Sequence, residues 1–195
     1  MKNRLLVSGI AILFLASCAG FNGQKTESSD DLIQITLSQT EQAFLDNLRS
    51  LCGKSFAGKE SFIREGRESW ADKQFIMHIT VCDDDKVHIP FHVGEDKSRT
   101  WMFIVEDGRL RFRHDHRHDD GTPEDTTLYG GYADGRGSDL IQRFPEDEYT
   151  INLLSDRISR QWSVVLSDDM STLTYELYAD DELVFAAEFD LTKPL

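Results

Sequence analysis

The chain has 195 residues and a formal net charge of −14, with 39% apolar and 29% charged positions, a composition that fits neither a disordered chain nor a polytopic membrane protein. Lys+Arg 21 against Asp+Glu 35 argues against a nucleic-acid partner, because neutralising phosphates needs a clustered positive surface. Three cysteines are too few for a disulfide-dense mini-scaffold.

Lys2 and Arg4 precede an apolar run from Leu5 to Ala16, long enough for the core of an export signal and too short to span a bilayer. The run ends in Leu15-Ala16-Ser17-Cys18, which resembles the lipobox of bacterial lipoproteins. That resemblance implies a signal peptide over 1–17, cleavage before Cys18, acylation of Cys18 with palmitate among its chains, and a domain held at a membrane outside the cytoplasm. Several acyl chains suffice for stable attachment, whereas a single chain binds marginally. Ala19, where an Asp would retain many lipoproteins in the inner membrane, points to the outer membrane of a Gram-negative cell. The alternative is a plain secretory signal with Cys18 incidental, and export to the periplasm or beyond follows from either. Residues 18–31 form a small, polar, acidic tether, which leaves 32–195 for one domain.

Ser38 followed by Glu41 is a capping box, and Leu37, Glu41, Phe44, Leu45, Leu48 and Leu51 fall largely on one helical stripe. One substantial helix is therefore expected, ended by Gly53 as a left-handed cap. From about Phe56 to Leu191 the apolar period becomes two. Phe75/Met77/Ile79/Val81, Val87/Ile89/Phe91/Val93, Trp101/Phe103/Val105, Leu110/Phe112, Trp162/Val164/Leu166, Leu173/Tyr175/Leu177 and Leu183/Phe185/Ala187/Phe189/Leu191 alternate with polar positions. Turn signals at Asp83-Asp84-Asp85, Asp107-Gly108, Asp168-Asp169 and Asp180-Asp181 separate them. Short connections make sequential strands antiparallel neighbours. The expected fold is an all-β antiparallel meander with one N-terminal helix, closing into a barrel of eight to ten strands so that no edge is exposed. The order resembles the calycin barrels, lipocalins and their relatives, with Gly53-x-x-Phe56-x-Gly58 standing where a lipocalin has Gly-x-Trp. A two-sheet sandwich is the competing architecture.

Parity and an oxidising compartment predict a Cys52–Cys82 bridge once Cys18 is acylated. The alternative is two buried thiols.

All six histidines fall between positions 78 and 118. A hairpin at Asp107-Gly108 pairs Glu106 with Arg109, hence Phe103 with Phe112, Trp101 with His114 and Arg99 with His116. His114, His116 and His118 then extend the inward apolar face, and Arg109, Arg111, Arg113 and Arg117 point outward to pair with acidic neighbours. The same alternation turns His78, His88 and His92 to the outside. Trp101, Phe103, Phe112, His114 and His116 are the candidate ligand lining. His114 and His116 stand about 6.7 Å apart along the strand and can share one metal. With His118 and Asp119, or with Asp120, Glu124 or Asp125 folding back, they make a candidate zinc or iron site of two histidines and a carboxylate.

Gly130-Gly131-x-x-x-Gly135-x-Gly137 lacks the ending of a phosphate loop and reads as a plain loop. No nucleophile elbow and no zinc-protease helix occur. The string from Ile89-Pro90-Phe91-His92-Val93-Gly94 to Tyr129-Gly130-Gly131 and Gln142-x-Phe144-Pro145 is similar to that of an uncharacterised family of secreted bacterial proteins, from which no activity carries over. The leading expectation is a lipid-anchored barrel that binds a small apolar ligand or an envelope protein without chemistry. A metal-binding protein or metal-dependent enzyme built on His114 and His116, and a filled structural barrel, are the alternatives.

Overall fold

The computed structural model describes residues 36–66 and 70–195. The signal segment, Cys18 and the tether lie outside the described residues. The first element is α1 (Gln39–Arg49). Ser38 caps it with both halves of the capping box in place: the Ser38 side chain accepts from the Glu41 N–H at 3.2 Å, and the Glu41 carboxylate accepts from the Ser38 N–H at 3.0 Å. The helix ends at Ser50, earlier than the glycine signal suggests. Gly53, with φ +75°, makes the following turn and donates its N–H to the Ile79 carbonyl at 2.8 Å.

The strands are β1 (Ser55–Ile63), β2 (Phe75–His78), β3 (Val81–Asp83), β4 (Lys86–Val93), β5 (Asp96–Glu106), β6 (Arg109–His116), β7 (Tyr129–Tyr132), β8 (Ile141–Pro145), β9 (Arg160–Leu166), β10 (Thr172–Ala179) and β11 (Glu182–Pro194). The run expected as one strand over 75–82 breaks after His78. Its second part, β3, pairs only with β4. The remaining ten follow the order β7-β6-β5-β4-β2-β1-β11-β10-β9-β8, so sequence neighbours are sheet neighbours and the first strand pairs with the last. The ends of this path meet. The Asp134 N–H donates to the Arg143 carbonyl and the Asp147 N–H to the Gly130 carbonyl, both at 3.0 Å, in one antiparallel register across the β7–β8 seam. The result is a nearly closed ten-stranded antiparallel barrel, within the expected range, and the sandwich is excluded.

Gly130 and Gly131 are part of β7, not of a loop. A Cβ on Gly131 would sit 1.8 Å from the Pro145 carbonyl oxygen, and one on Gly130 2.2 Å from that of Phe112. Gly131 lets the backbones approach at the β7–β8 seam, and Gly130 does the same on the β6 side. A second helix, α2 (Glu148–Leu154), follows β8 with Asp147 as its N-cap, so the fold has two helices where one was expected. It packs on the outside of β7, where the Thr150 hydroxyl accepts from the Gly130 N–H at 2.8 Å.

The β5–β6 hairpin has the expected register: Phe103 opposes Phe112, Trp101 opposes His114 and Arg99 opposes His116. Asp107 and Gly108 both have positive φ, at 52° and 69°, the left-handed pair that a two-residue turn between twisted strands requires. Inside the barrel, Phe91, Trp101, Phe103, Phe112, Phe144 and Phe189 are fully buried. α1 lies against one end of this core with Phe44, Leu45 and Leu48 at 0% exposure, and the Phe44 ring meets Phe103 edge-on at 6.1 Å. Cys52 and Cys82 are bridged, with Cα atoms 6.1 Å apart, which ties the segment after α1 to β3. The bridge closes a separation of 30 residues. In the chain-entropy account its removal costs about 3 to 4 kcal/mol. Urea unfolding of a Cys52→Ser, Cys82→Ser variant is the check.

Candidate functional site

Beyond the fully packed layer around Phe112, the interior opens into a cavity of about 480 Å³. Its described walls are aromatic: Trp70, Tyr129, Trp162, Tyr175 and Phe185, with His114 as the buried polar member. Gly66, Thr126, Leu154, Arg160 and Leu177 complete the described lining. The local cause is alternation. Inward positions of β6, β7, β9, β10 and β11 bring His114, Tyr129, Trp162, Tyr175 and Phe185 to one level of the barrel. His114 pairs with Tyr129 across β6–β7, with ring centres 4.8 Å apart, and Tyr129 stands 5.7 Å from Trp162. Tyr175 stacks on Trp101 at 4.3 Å, and Trp70 meets Phe185 edge-on at 5.0 Å.

His114 is 3% exposed and both of its ring nitrogens lack a protein partner. Burial pushes its pKa well below the ordinary histidine value, and the neighbouring His116 and Arg99 act in the same direction. It is therefore neutral at pH 7, with one N–H to donate and one lone pair to accept. Burial also pushes Tyr129 up to about 12 and Tyr175 well above the ordinary phenol value, so both hydroxyls stay protonated. Because the unfolded chain protonates His114 near pH 6.5 while the folded chain resists it, stability must fall as pH drops below about 6.5 and continue falling toward the lowered folded pKa. The slope for one such group is about 1.4 kcal/mol per pH unit. His114→Gln is expected to flatten the dependence by that amount, read from denaturation midpoints at pH 7.5 and 5.5.

Of the residues expected to line a ligand site, His114 faces the cavity, whereas Trp101, Phe103 and Phe112 belong to the packed layer beside it. His116 lies at the end of β6, 5.9 Å from His114 between ring centres. Its Nδ1 is 2.9 Å from a Glu124 carboxylate oxygen, and its backbone N–H donates to the Thr127 hydroxyl at 2.7 Å. Glu124 is thus the carboxylate that folds back. His118 and Asp119 are exposed in the turn beyond. Among the described residues no three His, Cys, Asp or Glu side chains come together as a metal-holding group. The five aromatic residues of the cavity, Trp70, Tyr129, Trp162, Tyr175 and Phe185, were not among the residues expected to line a ligand site. The alternation already placed Trp162, Tyr175 and Phe185 inward; what was missing was the ring closure that sets them opposite His114.

The arginine stripe is outward, as expected, but it is not an ordinary surface. Arg111 and Arg113 both reach Asp147 at 2.7 Å, Arg111 also pairs with Glu106, and Arg113 is 6% exposed. Tyr132 lies under Arg109 and Arg111 at 4.4 and 4.6 Å, and Tyr149 of α2 under Arg113 at 5.2 Å. Arg111 and Arg113 are thus engaged in holding α2 through Asp147, while Arg117 pairs with Asp115 at 2.7 Å.

A ten-stranded barrel with an aromatic-walled internal cavity is the class that fold and site define. No family model and no curated protein matches the chain. Among solved structures it is similar to a redesigned beta barrel, mFAP1, bound to DFHBI, at TM-score 0.31 and 11% identity over 74% of this chain and 98% of that one. It is also similar to the redesigned beta barrel b11L5F_LGL, at TM-score 0.29 and 11% identity over 78% and 96% of the two chains. The barrel itself is read from the strand pairing above.

Proposed function

We propose that this protein is a lipid-anchored extracytoplasmic barrel that binds a small, largely apolar molecule in its interior without acting on it chemically. The observation that supports this reading is the cavity of about 480 Å³ holding His114 with both ring nitrogens unpaired. The volume falls in the ordinary range for small-molecule sites, about 300 to 1,000 Å³. A buried polar group without a partner is costly, and a ligand carrying a hydrogen-bonding atom would remove that cost. Aromatic walls favour a ligand with a flat or unsaturated part. Anchorage rests on Leu15-Ala16-Ser17-Cys18, and outer-membrane location on Ala19.

The test uses the dye 1-anilinonaphthalene-8-sulfonate and the emission of Trp70 and Trp162. Saturable binding that quenches tryptophan emission is expected, weakened at least tenfold by Leu177→Trp, which fills the cavity. Equal binding by that variant would remove the interior site. For the anchor, labelled palmitate is expected to enter the wild-type chain and not Cys18→Ala, and equal labelling would refute acylation at that residue.

A further inference from the structure

The outer wall carries a second constellation that the interior site does not use. β2 and β4 are antiparallel neighbours with Ile76 opposite His92, so His78 and His92 are diagonal across the pair and both project away from the core. Their rings are 4.4 Å apart between centres, and His78 Nε2 lies 3.1 Å from His92 Nδ1. On the far side of His78, Nδ1 is 2.6 Å from the Ser55 hydroxyl. The three side chains border an open surface depression together with Gly53, Lys54, Ile79, Thr80 and Pro90.

We propose that His78 and His92 form an exchangeable binding site for a late first-row divalent metal ion, copper(II) foremost, with Ser55 orienting the first ligand. An ion bonded to two imidazoles at about 2.0–2.1 Å, with an angle between square and tetrahedral, holds their nitrogens about 2.9–3.4 Å apart. The observed separation lies in that interval, so the ion takes the place of the proton the two rings share. In the tautomer that binds metal, His78 donates its Nδ1–H to the Ser55 oxygen, which leaves the Nε2 lone pair for the ion. A ligating histidine ordinarily requires such a partner on its other nitrogen. Imidazole ligands suit copper, zinc and nickel, and copper(II) binds most tightly in that series. The remaining positions open to the surface depression and are filled by water or by an incoming ligand. Two protein ligands make the site exchangeable.

The same reasoning separates this pair from His114 and His116, whose rings stand 5.9 Å apart with His116 facing Glu124.

The test is calorimetric titration of copper(II) into the full chain, purified in detergent without an affinity tag, with the electron paramagnetic resonance spectrum of the loaded protein. One ion per chain is expected, with coupling to two imidazole nitrogens. His78→Gln and His92→Gln each abolish that signature, and Ser55→Ala weakens binding about tenfold. His114→Gln leaves it unchanged, so the outcome is independent of the interior ligand site. No binding by the wild type, coupling to fewer than two imidazoles, or binding that survives His78→Gln, His92→Gln would overturn the proposal. Far-ultraviolet circular dichroism confirms that each variant is folded.

Discussion

Replacing Asp147 by Ala is expected to destabilise the protein by about 3 to 5 kcal/mol, the usual cost of removing one partner from a buried charge pair. Asp147 accepts from Arg111 and Arg113 at 2.7 Å and, as the N-cap of α2, from the Thr150 N–H at 3.1 Å. Both arginine side chains are at most 15% exposed, so without the carboxylate two guanidinium groups would remain against the outer wall with little access to water. Two variants divide the effect. Asp147→Asn keeps the capping oxygen, worth about 1 kcal/mol, and removes the charge. Glu106→Ala removes a carboxylate that is 43% exposed, and its cost is expected to stay within about 1 kcal/mol. Denaturant midpoints that rank Asp147→Ala no worse than Glu106→Ala would mean that the outer face is solvated and that α2 is not held through these arginines.

That result bears on what can be read from the chain alone. Alternation places Arg111 and Arg113 outward correctly, because a side-chain period of two depends only on the strand itself. It is silent on what covers the outer face. The cover is α2, whose cap Asp147 lies 34 residues beyond Arg113 in sequence, and seven helical residues give too short a period to stand out. The register of β5 and β6 was legible because Asp107-Gly108 fixes the turn, and the bridge was legible from parity together with the expected export. Gly130 and Gly131 were not, since strand propensity records side-chain packing and these positions are selected for having no side chain. The cavity was half legible. His114 was placed inward beside Trp101, but its neighbours Tyr129 and Trp162 depend on which strands meet when the sheet closes.

Phe112→Ala is the corresponding test of the interior. Phe112 is fully buried, with ring centres of Phe103, Phe144, Trp162 and Tyr175 between 5.4 and 6.3 Å away and His114 at 6.5 Å. Truncating a buried phenylalanine costs about 3 to 5 kcal/mol. In a chain of this size each kcal/mol lowers Tm by about 2 to 4 °C, so a fall of about 6 to 20 °C is expected. Where in that range it lies reports on the packing, because the cost grows with the void that remains. Neighbours locked into a closed ring of strands relax little, which favours the upper part. The position of Phe112 adds a second reading: it stands between the end packed by α1 and the cavity beside His114, so its loss extends the cavity inward. The variant is therefore expected to bind the anilinonaphthalene dye at least as tightly as the wild type while being much less stable. A loss below about 0.5 kcal/mol, the range of surface substitutions, would show that the ring is not packed in the core. A large loss with dye binding abolished would instead mean that the walls collapse, and that Phe112 holds the cavity open rather than bounding it.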